Sequence, residues 1–206
     1  MIDCRLLITN FSLLSLSPPH YSLLITHYSL LIIKVKVYLF PTELEASRFR
    51  ELVPEAEIVI SGVGEAATAA TLARVVPKYG HDVCFVLAGV AGSYGDAVAV
   101  GEVVEVVSER CAELPERFVV EYRNGAQTTL KSVKSNTVSR GDSALQGADI
   151  ENMEGAALFA MASAVELKVM QIRAISNRVG EEFSMWRINE ALEALASVLK
   201  TIELSE

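Results

Sequence analysis

The stretch DIENMEGAALFAMASAVELKVMQIRAISN, Asp149 to Asn177, decides how this chain reads. Glu154 stands at the head of a run from Ala156 to Leu167 that is apolar on nearly every side, the pattern of a buried helix. Lys168 closes the run with the charge that suits a helix C-terminus. Val169 to Ile175 then reads as a short strand, and polar chemistry begins at Ser176 and Asn177. In open α/β sheets ligands sit beyond the carboxyl ends of strands, so Glu154 and Asn177 are site candidates. Each also has a plainer reading: a glutamate in a first helical turn stabilises the macrodipole, and asparagine after a strand is ordinary turn chemistry.

Working outward, alternating βα units extend the pattern towards the N-terminus. Lys34 to Phe40 alternates as a first strand, and Thr42 with Glu45 three residues on has capping-box spacing. That same turn faces the site at the strand's carboxyl end, which makes Glu45, ahead of Glu43, a second carboxylate candidate. Glu57 to Ser61 is a second strand, running into Gly62-Val63-Gly64 and a helix to about Val76. The glycines fit a relaxed dinucleotide fingerprint, but they open the second βα unit, and Asp82 precedes the next strand rather than ending one. A tight turn that lets helix and strand pack closely explains them as well. Val83 to Ala88 is a buried strand that ends in Gly89-Val90-Ala91-Gly92-Ser93, where glycines allow a backbone to approach a ligand.

Further on, Gly101 to Ser108 alternates as a strand and Glu109 to Glu116 reads as charged and exposed. Phe118 to Tyr122 and Thr128 to Val138, joined by a turn at Asn124-Gly125, read as a hairpin. Arg178 to Arg187 is a loop able to cover the site. Ile188 to Leu204 is an amphipathic helix with Ile188, Ala191, Leu192, Leu195, Leu199 and Ile202 on one face. The fold expected is three-layer α/β/α around a mixed, twisted sheet.

Composition narrows the function classes. A length of 206 residues with 51 % hydrophobic content supports one domain with a sizeable core. A net charge of −8 without a basic cluster argues against nucleic acid and against an anionic membrane surface as partners. The three cysteines, Cys4, Cys84 and Cys111, form no CxxC and no even framework, which suits a reducing cytoplasm. The three histidines, His20, His27 and His81, leave little for Ser-His-Asp or Cys-His catalysis, and no spacing suits a metal. Carboxylates and amides are left to do any chemistry, with no cofactor expected. Met1 to Lys34 differs from the rest, with a near repeat at Tyr21 to Ile32 and almost no charge. Pro18-Pro19 and polar interruptions fit neither a signal peptide nor a membrane span, and the segment reads as an N-terminal extension.

Met153-Glu154-Gly155-Ala156-Ala157, followed by Arg173-Ala174-Ile175-Ser176-Asn177, resembles the signature of the nucleoside phosphorylase/nucleosidase superfamily. The branch it most resembles is the futalosine hydrolase family, over about residues 35 to 206 and only thinly between Cys111 and Gly147. The resemblance implies a nucleoside phosphorylase-like fold with a nucleoside-binding site. Glu45 would activate the attacking water. Met153 and Glu154 would hold the ribose. Val90, Ala91, Gly92 and Ser176 would line the nucleoside pocket, and Asn177 would meet the base. It also implies a small-molecule nucleoside as substrate and a homo-oligomer. Phosphorylases of the superfamily carry phosphate-binding Arg and Ser where this chain has Leu87 and Val90, and neither can hold a phosphate dianion. That departure favours water as the nucleophile.

The adenine-specific nucleosidases carry Asp where this chain has Asn177. A carboxamide NH₂ can donate to acceptors at N7 and O6 of a 6-oxopurine, which an ionised Asp cannot do. The residue that stacks on the base is not identifiable; Phe118, Phe183 and Trp186 are candidates that core packing would explain equally.

Overall fold

The computed structural model describes residues 36–96, 98–141 and 147–205. The extension expected over Met1 to Lys34 lies outside the described residues. The strands are β1 (Lys36–Phe40), β2 (Glu57–Ile60), β3 (Cys84–Ser93), β4 (Val103–Cys111), β5 (Glu121–Arg123), β6 (Lys131–Thr137), β7 (Ile150–Asn152) and β8 (Lys168–Arg178). The α-helices are α1 (Glu43–Leu52), α2 (Glu65–Tyr79), α3 (Gly155–Val165) and α4 (Ile188–Leu204).

β1, β2, β3 and β8 form a parallel βα-type array, with β1 between β2 and β3 and with β3 pairing β8 in parallel. Successive side chains on a strand point to opposite faces, and here each face has its own core. Val37, Leu39, Phe85, Leu87 and Val169 pack with Leu72 and Val75 of α2 and Leu158 of α3. Tyr38, Phe40, Val86, Ala88, Met170 and Ile172 pack with Phe49 of α1 and Leu192, Leu195 and Leu199 of α4. Burial on both faces accounts for the near-continuous apolar runs in β3 and β8. The expected mixed sheet between helices is thus observed.

The sheet also closes on itself. β8 pairs β4 antiparallel, β4 pairs β6 in parallel, β6 pairs β7 in parallel, and β7 returns antiparallel to β3. Five strands therefore form a ring, with β1 and β2 continuing the sheet from β3 and β5 from β4.

Three local expectations are corrected. β5 pairs antiparallel with β4, not with β6, so the segment either side of Asn124 is not a hairpin. Glu105, buried on β4, accepts hydrogen bonds from the amides of Gln127 and Thr128 and from the Thr128 hydroxyl, which holds the chain between β5 and β6. Lys168 does not close α3; that helix ends at Val165, Glu166 takes a left-handed cap with φ 55°, and Lys168 begins β8. Glu109 is not exposed but fully buried in β4.

Candidate functional site

The Glu45 side chain leaves its own helix. Thr42 caps α1 by accepting from the Glu45 amide at 3.2 Å, which is half of the expected capping box. The other half is absent: the Glu45 carboxylate reaches β3, where Oε1 accepts from the Val90 amide at 3.0 Å, while Oε2 accepts from the Thr42 hydroxyl at 2.8 Å. Burial pushes the Glu45 carboxyl above its ordinary value. The Val90 amide, the Thr42 hydroxyl and the Arg173 charge pull the other way, and Glu154 adds a little to the rise. A carboxylate tuned upwards and only half-buried suits a general base.

Glu154 ends the β7–α3 connection and is 4 % exposed. Its Oε1 accepts from the Gly64 amide at 3.1 Å and its Oε2 is 3.1 Å from Nη2 of Arg173. Gly64 has φ +89°, which favours glycine, and it starts α2. A Cβ on Gly62 would lie 2.8 Å from that of Ala67. The Gly62-Val63-Gly64 turn therefore packs helix against strand and turns an amide onto Glu154, the reading that competed with a dinucleotide loop.

Arg173 is the residue that sequence reasoning left without a role, although it stands in the quoted motif. Fully buried on β8, it donates to Asn152 Oδ1 at 2.9 Å and, more weakly, to the Val90 carbonyl at 3.4 Å. A Cβ on Gly89 would sit 2.7 Å from Arg173 Nη1 and 2.8 Å from Glu45 Oε1, so both groups flank the same bare backbone. The signal was available: an arginine inside an apolar strand must have buried partners.

Asn177 and Ser176 lie where β8 shifts register against β3: Ala91 pairs Ile175 but Gly92 pairs Asn177. Bulges of this kind re-aim side chains beside sites. Asn177 is 2 % exposed; its Oδ1 accepts from the Ser176 hydroxyl at 2.8 Å and its Nδ2 donates to the Arg178 carbonyl at 3.0 Å, leaving the second N–H of that amide. Ser176 and the Ala91 carbonyl are 3.4 Å apart. A Cβ on Gly92 would meet Asn177 Nδ2 at 3.2 Å. Met153 is half-buried beside Glu154, and Val90 is partly buried. The structure thus gathers Glu45, Val90, Glu154 and Arg173 into one cluster, and Ala91, Gly92, Ser176 and Asn177 into an adjoining one along β3 and β8.

Leu87 is wholly core, as a residue without a phosphate role would be. Phe118 and Phe183 are not core: they are 57 % and 72 % exposed. Phe183 stacks at 5.1 Å, tilted, on Trp186, whose indole donates to the Glu181 carbonyl. Cys84 is only partly buried.

A family model, that of the phosphorylase superfamily, matches residues 107–202, from β4 to α4. This segment is similar to that superfamily. The matched segment carries Met153, Glu154, Arg173, Ser176 and Asn177, while Glu45 and Val90 lie upstream of it. No curated protein matches the chain. Among solved structures, it is similar to a putative 5′-methylthioadenosine/S-adenosylhomocysteine nucleosidase from Francisella philomiragia, with a TM-score of 0.73 at 16 % identity over 84 % of this chain and 100 % of that one. It is also similar to the Helicobacter pylori nucleosidase of the same description, bound to butyl-thio-DADMe-Immucillin-A (TM-score 0.71, 13 % identity, 82 % and 98 % of the two chains). A third is a futalosine hydrolase mutant from the same organism (0.70, 14 %, 81 % and 97 %). These likenesses establish the fold as that of the nucleoside phosphorylases and nucleosidases.

Proposed function

We propose that the chain is a nucleosidase that hydrolyses the N-glycosidic bond of a 6-oxopurine nucleoside, with futalosine the preferred substrate. The observation that carries this reading is the pair of carboxylates flanking buried Arg173, with the Asn177 carboxamide further along the same strand. In the reaction, the C1′–N9 bond breaks, water oxygen bonds to C1′, and the base leaves with a proton. Glu45 takes the proton from the attacking water, a role worth about 10²–10⁴-fold. Glu154, fixed by Arg173 and Gly64, accepts from ribose hydroxyls and places negative charge near the developing oxocarbenium ion. Met153 packs against the sugar, and Val90, Ala91, Gly92 and Ser176 line the pocket. Asn177 donates to the 6-oxopurine edge, which favours hypoxanthine over adenine as leaving group.

Arg173 brings positive charge to this pocket, but Glu154 and Asn152 engage it. With Leu87 and Val90 also in place of phosphate ligands, that supports water over phosphate. A phosphorylase is the second reading, since the superfamily contains both. Acting on futalosine would give hypoxanthine and dehypoxanthine futalosine, in menaquinone biosynthesis, in the cytoplasm and as a homo-oligomer.

The test is hypoxanthine release from futalosine and from inosine in phosphate-free buffer, repeated with phosphate. Rapid release from futalosine without phosphate is expected. Release only with phosphate would make the chain a phosphorylase, and release from inosine alone would remove futalosine.

A further inference from the structure

The N-terminus of α3 is capped from outside. Glu154 is its N-cap residue, yet its side chain makes no cap hydrogen bond. Helix N-termini leave amides in need of partners, and here other strands provide them. Asn152 Oδ1, at the end of β7, accepts from the amides of Glu154 at 2.9 Å and Gly155 at 2.7 Å, and from Arg173 Nη2 at 2.9 Å. Thr137 Oγ1, at the end of β6, accepts from the Ala156 amide at 2.8 Å. Glu154 is thereby released to reach Arg173 and Gly64.

Buried Glu109 sets the sense of both caps. Its Oε2 accepts from Asn152 Nδ2 at 2.8 Å and from Gln171 Nε2 at 3.1 Å, and its Oε1 accepts from the Thr137 hydroxyl at 3.0 Å. Asn152 Nδ2 also donates to Ser135 Oγ at 2.7 Å, so both its N–H groups are engaged. Once ionised, the Glu109 carboxylate can only accept and faces the NH₂ end of the amide, and a guanidinium and two backbone amides that can only donate face its oxygen. The amide can stand only one way round. Space is reserved for this contact: a Cβ on Gly155 would lie 2.0 Å from Glu109 Oε2.

We propose that Glu109 and Asn152 are positioning residues that hold Arg173 and Glu154 in register through the fixed polarity of the Asn152 amide. The inference rests on the nucleosidase reading for what Glu154 does, but not for where it stands. Asn152→Asp sets an acceptor against the acceptor Glu109. Adding Glu109→Gln reverses the pair, because the introduced carboxamide can donate where the carboxylate accepted.

The test measures kcat, KM and melting temperature of the full chain with futalosine or inosine. Asn152→Asp is expected to lower kcat at least 30-fold with a smaller change in KM. The double variant is expected to recover at least tenfold of that loss. A single variant within threefold of the original chain, or a double variant that regains melting temperature but not kcat, would overturn the proposal. If Asn152→Asp does not fold, Thr137→Val and Thr137→Ser decide: only the hydroxyl-free variant should lose tenfold or more, and equal kcat in both would overturn the proposal. If the original chain releases no base, the nucleosidase reading falls and ligand-free crystal structures decide. Arg173 displaced from Glu154 in the single variant and returned in the double one supports positioning; Arg173 unmoved in the single variant overturns it.

Discussion

Arg173 Nη2 lies 3.1 Å from Glu154 Oε2, with the two side chains 0 % and 5 % exposed. A buried ion pair is not in itself a gain in stability, because desolvation offsets the attraction, but losing one partner strands the other charge. The guanidinium is held from three directions, by Glu154, Asn152 and the Val90 carbonyl. Such over-determination fits a group whose place matters more than its contribution to folding.

Glu154→Gln keeps the shape and an acceptor for the Gly64 amide but leaves Arg173 without its ion partner. A loss of about 3–5 kcal/mol in unfolding free energy is expected from urea titration, with base release reduced to a trace. A variant as stable as the original chain would show that the pair is not energetically coupled.

For Glu45 the expectation separates activity from stability. Glu45→Gln should lower kcat about 10²–10⁴-fold with little change in KM, since it removes a proton acceptor used only in the transition state. Because burial raises this carboxyl, the charged form opposes folding at neutral pH. The variant should therefore be at least as stable as the original chain at pH about 8. A large fall in melting temperature with kcat intact would assign Glu45 to α1 rather than to the reaction.

Asn177→Asp tests the leaving group. An ionised carboxylate has no N–H to offer the base in place of the one that Asn177 leaves free, so release of hypoxanthine should fall by about 10² or more relative to release of adenine from the matching adenine nucleoside. Steady-state kinetics with inosine and adenosine checks the ratio. An unchanged preference would mean that another residue reads position 6.

Glu109 gives a pH signature. Burial pushes its carboxyl up to about 7, against the opposing hydrogen bonds of Asn152, Gln171 and Thr137 and the charge of Arg173. In the unfolded chain it titrates at an ordinary glutamate value, so between about pH 4.5 and 7 the folded form holds a proton that the unfolded form has lost. Stability contributed by the protonated folded state is present at the low end and lost as pH rises through about 7, at up to about 1.4 kcal/mol per unit. Urea titrations across this range should show that slope, and Glu109→Gln should remove most of it. A slope that survives the substitution would assign it to other groups.

Local periodicity made the outer parts of the fold legible. α4 begins and ends at the expected residues because its apolar face has a single period and polar flanks; β1 ends at the expected Phe40, and β2 stops one residue short of the expected Ser61. The ring closure was not legible. β7 has three residues, too few to carry an alternation, and the Asn-Gly turn suggests a β5–β6 hairpin, although the partners that hold that turn are distant. Asn124 Nδ2 donates to the Val169 carbonyl, 45 positions away. The burial of Glu109 is hidden for the same reason: a charged run reads as surface unless its partners, here Asn152 and Gln171, are known to be close. At the site, Glu154 and Asn177 could be picked out because strand ends and helix starts are local features. The role of Arg173 depends on β7 and β3 arriving beside it, which no window of sequence contains.

Gly89→Ala probes the meeting of Glu45 and Arg173 from the backbone between them. Gly89 has no left-handed φ, so an added methyl acts through space alone. It would lie 2.7 Å from Arg173 Nη1, 2.8 Å from Glu45 Oε1 and 3.3 Å from Pro41 Cδ, well inside van der Waals contact. Arg173 cannot retreat without leaving Glu154 or Asn152, whereas Glu45 can swing away by giving up the Val90 amide. Overpacking of this kind costs about 1–3 kcal/mol, and here its main effect should fall on kcat, by tenfold or more, because the general base is the group free to move. Gly125→Ala, with nothing within 4 Å of the new Cβ and no left-handed φ, is the matched control; it should leave stability within about 0.5 kcal/mol and kcat unchanged. If Gly89→Ala loses stability but keeps kcat, Arg173 has moved instead and the Glu45 carboxylate does not depend on that wall of the site.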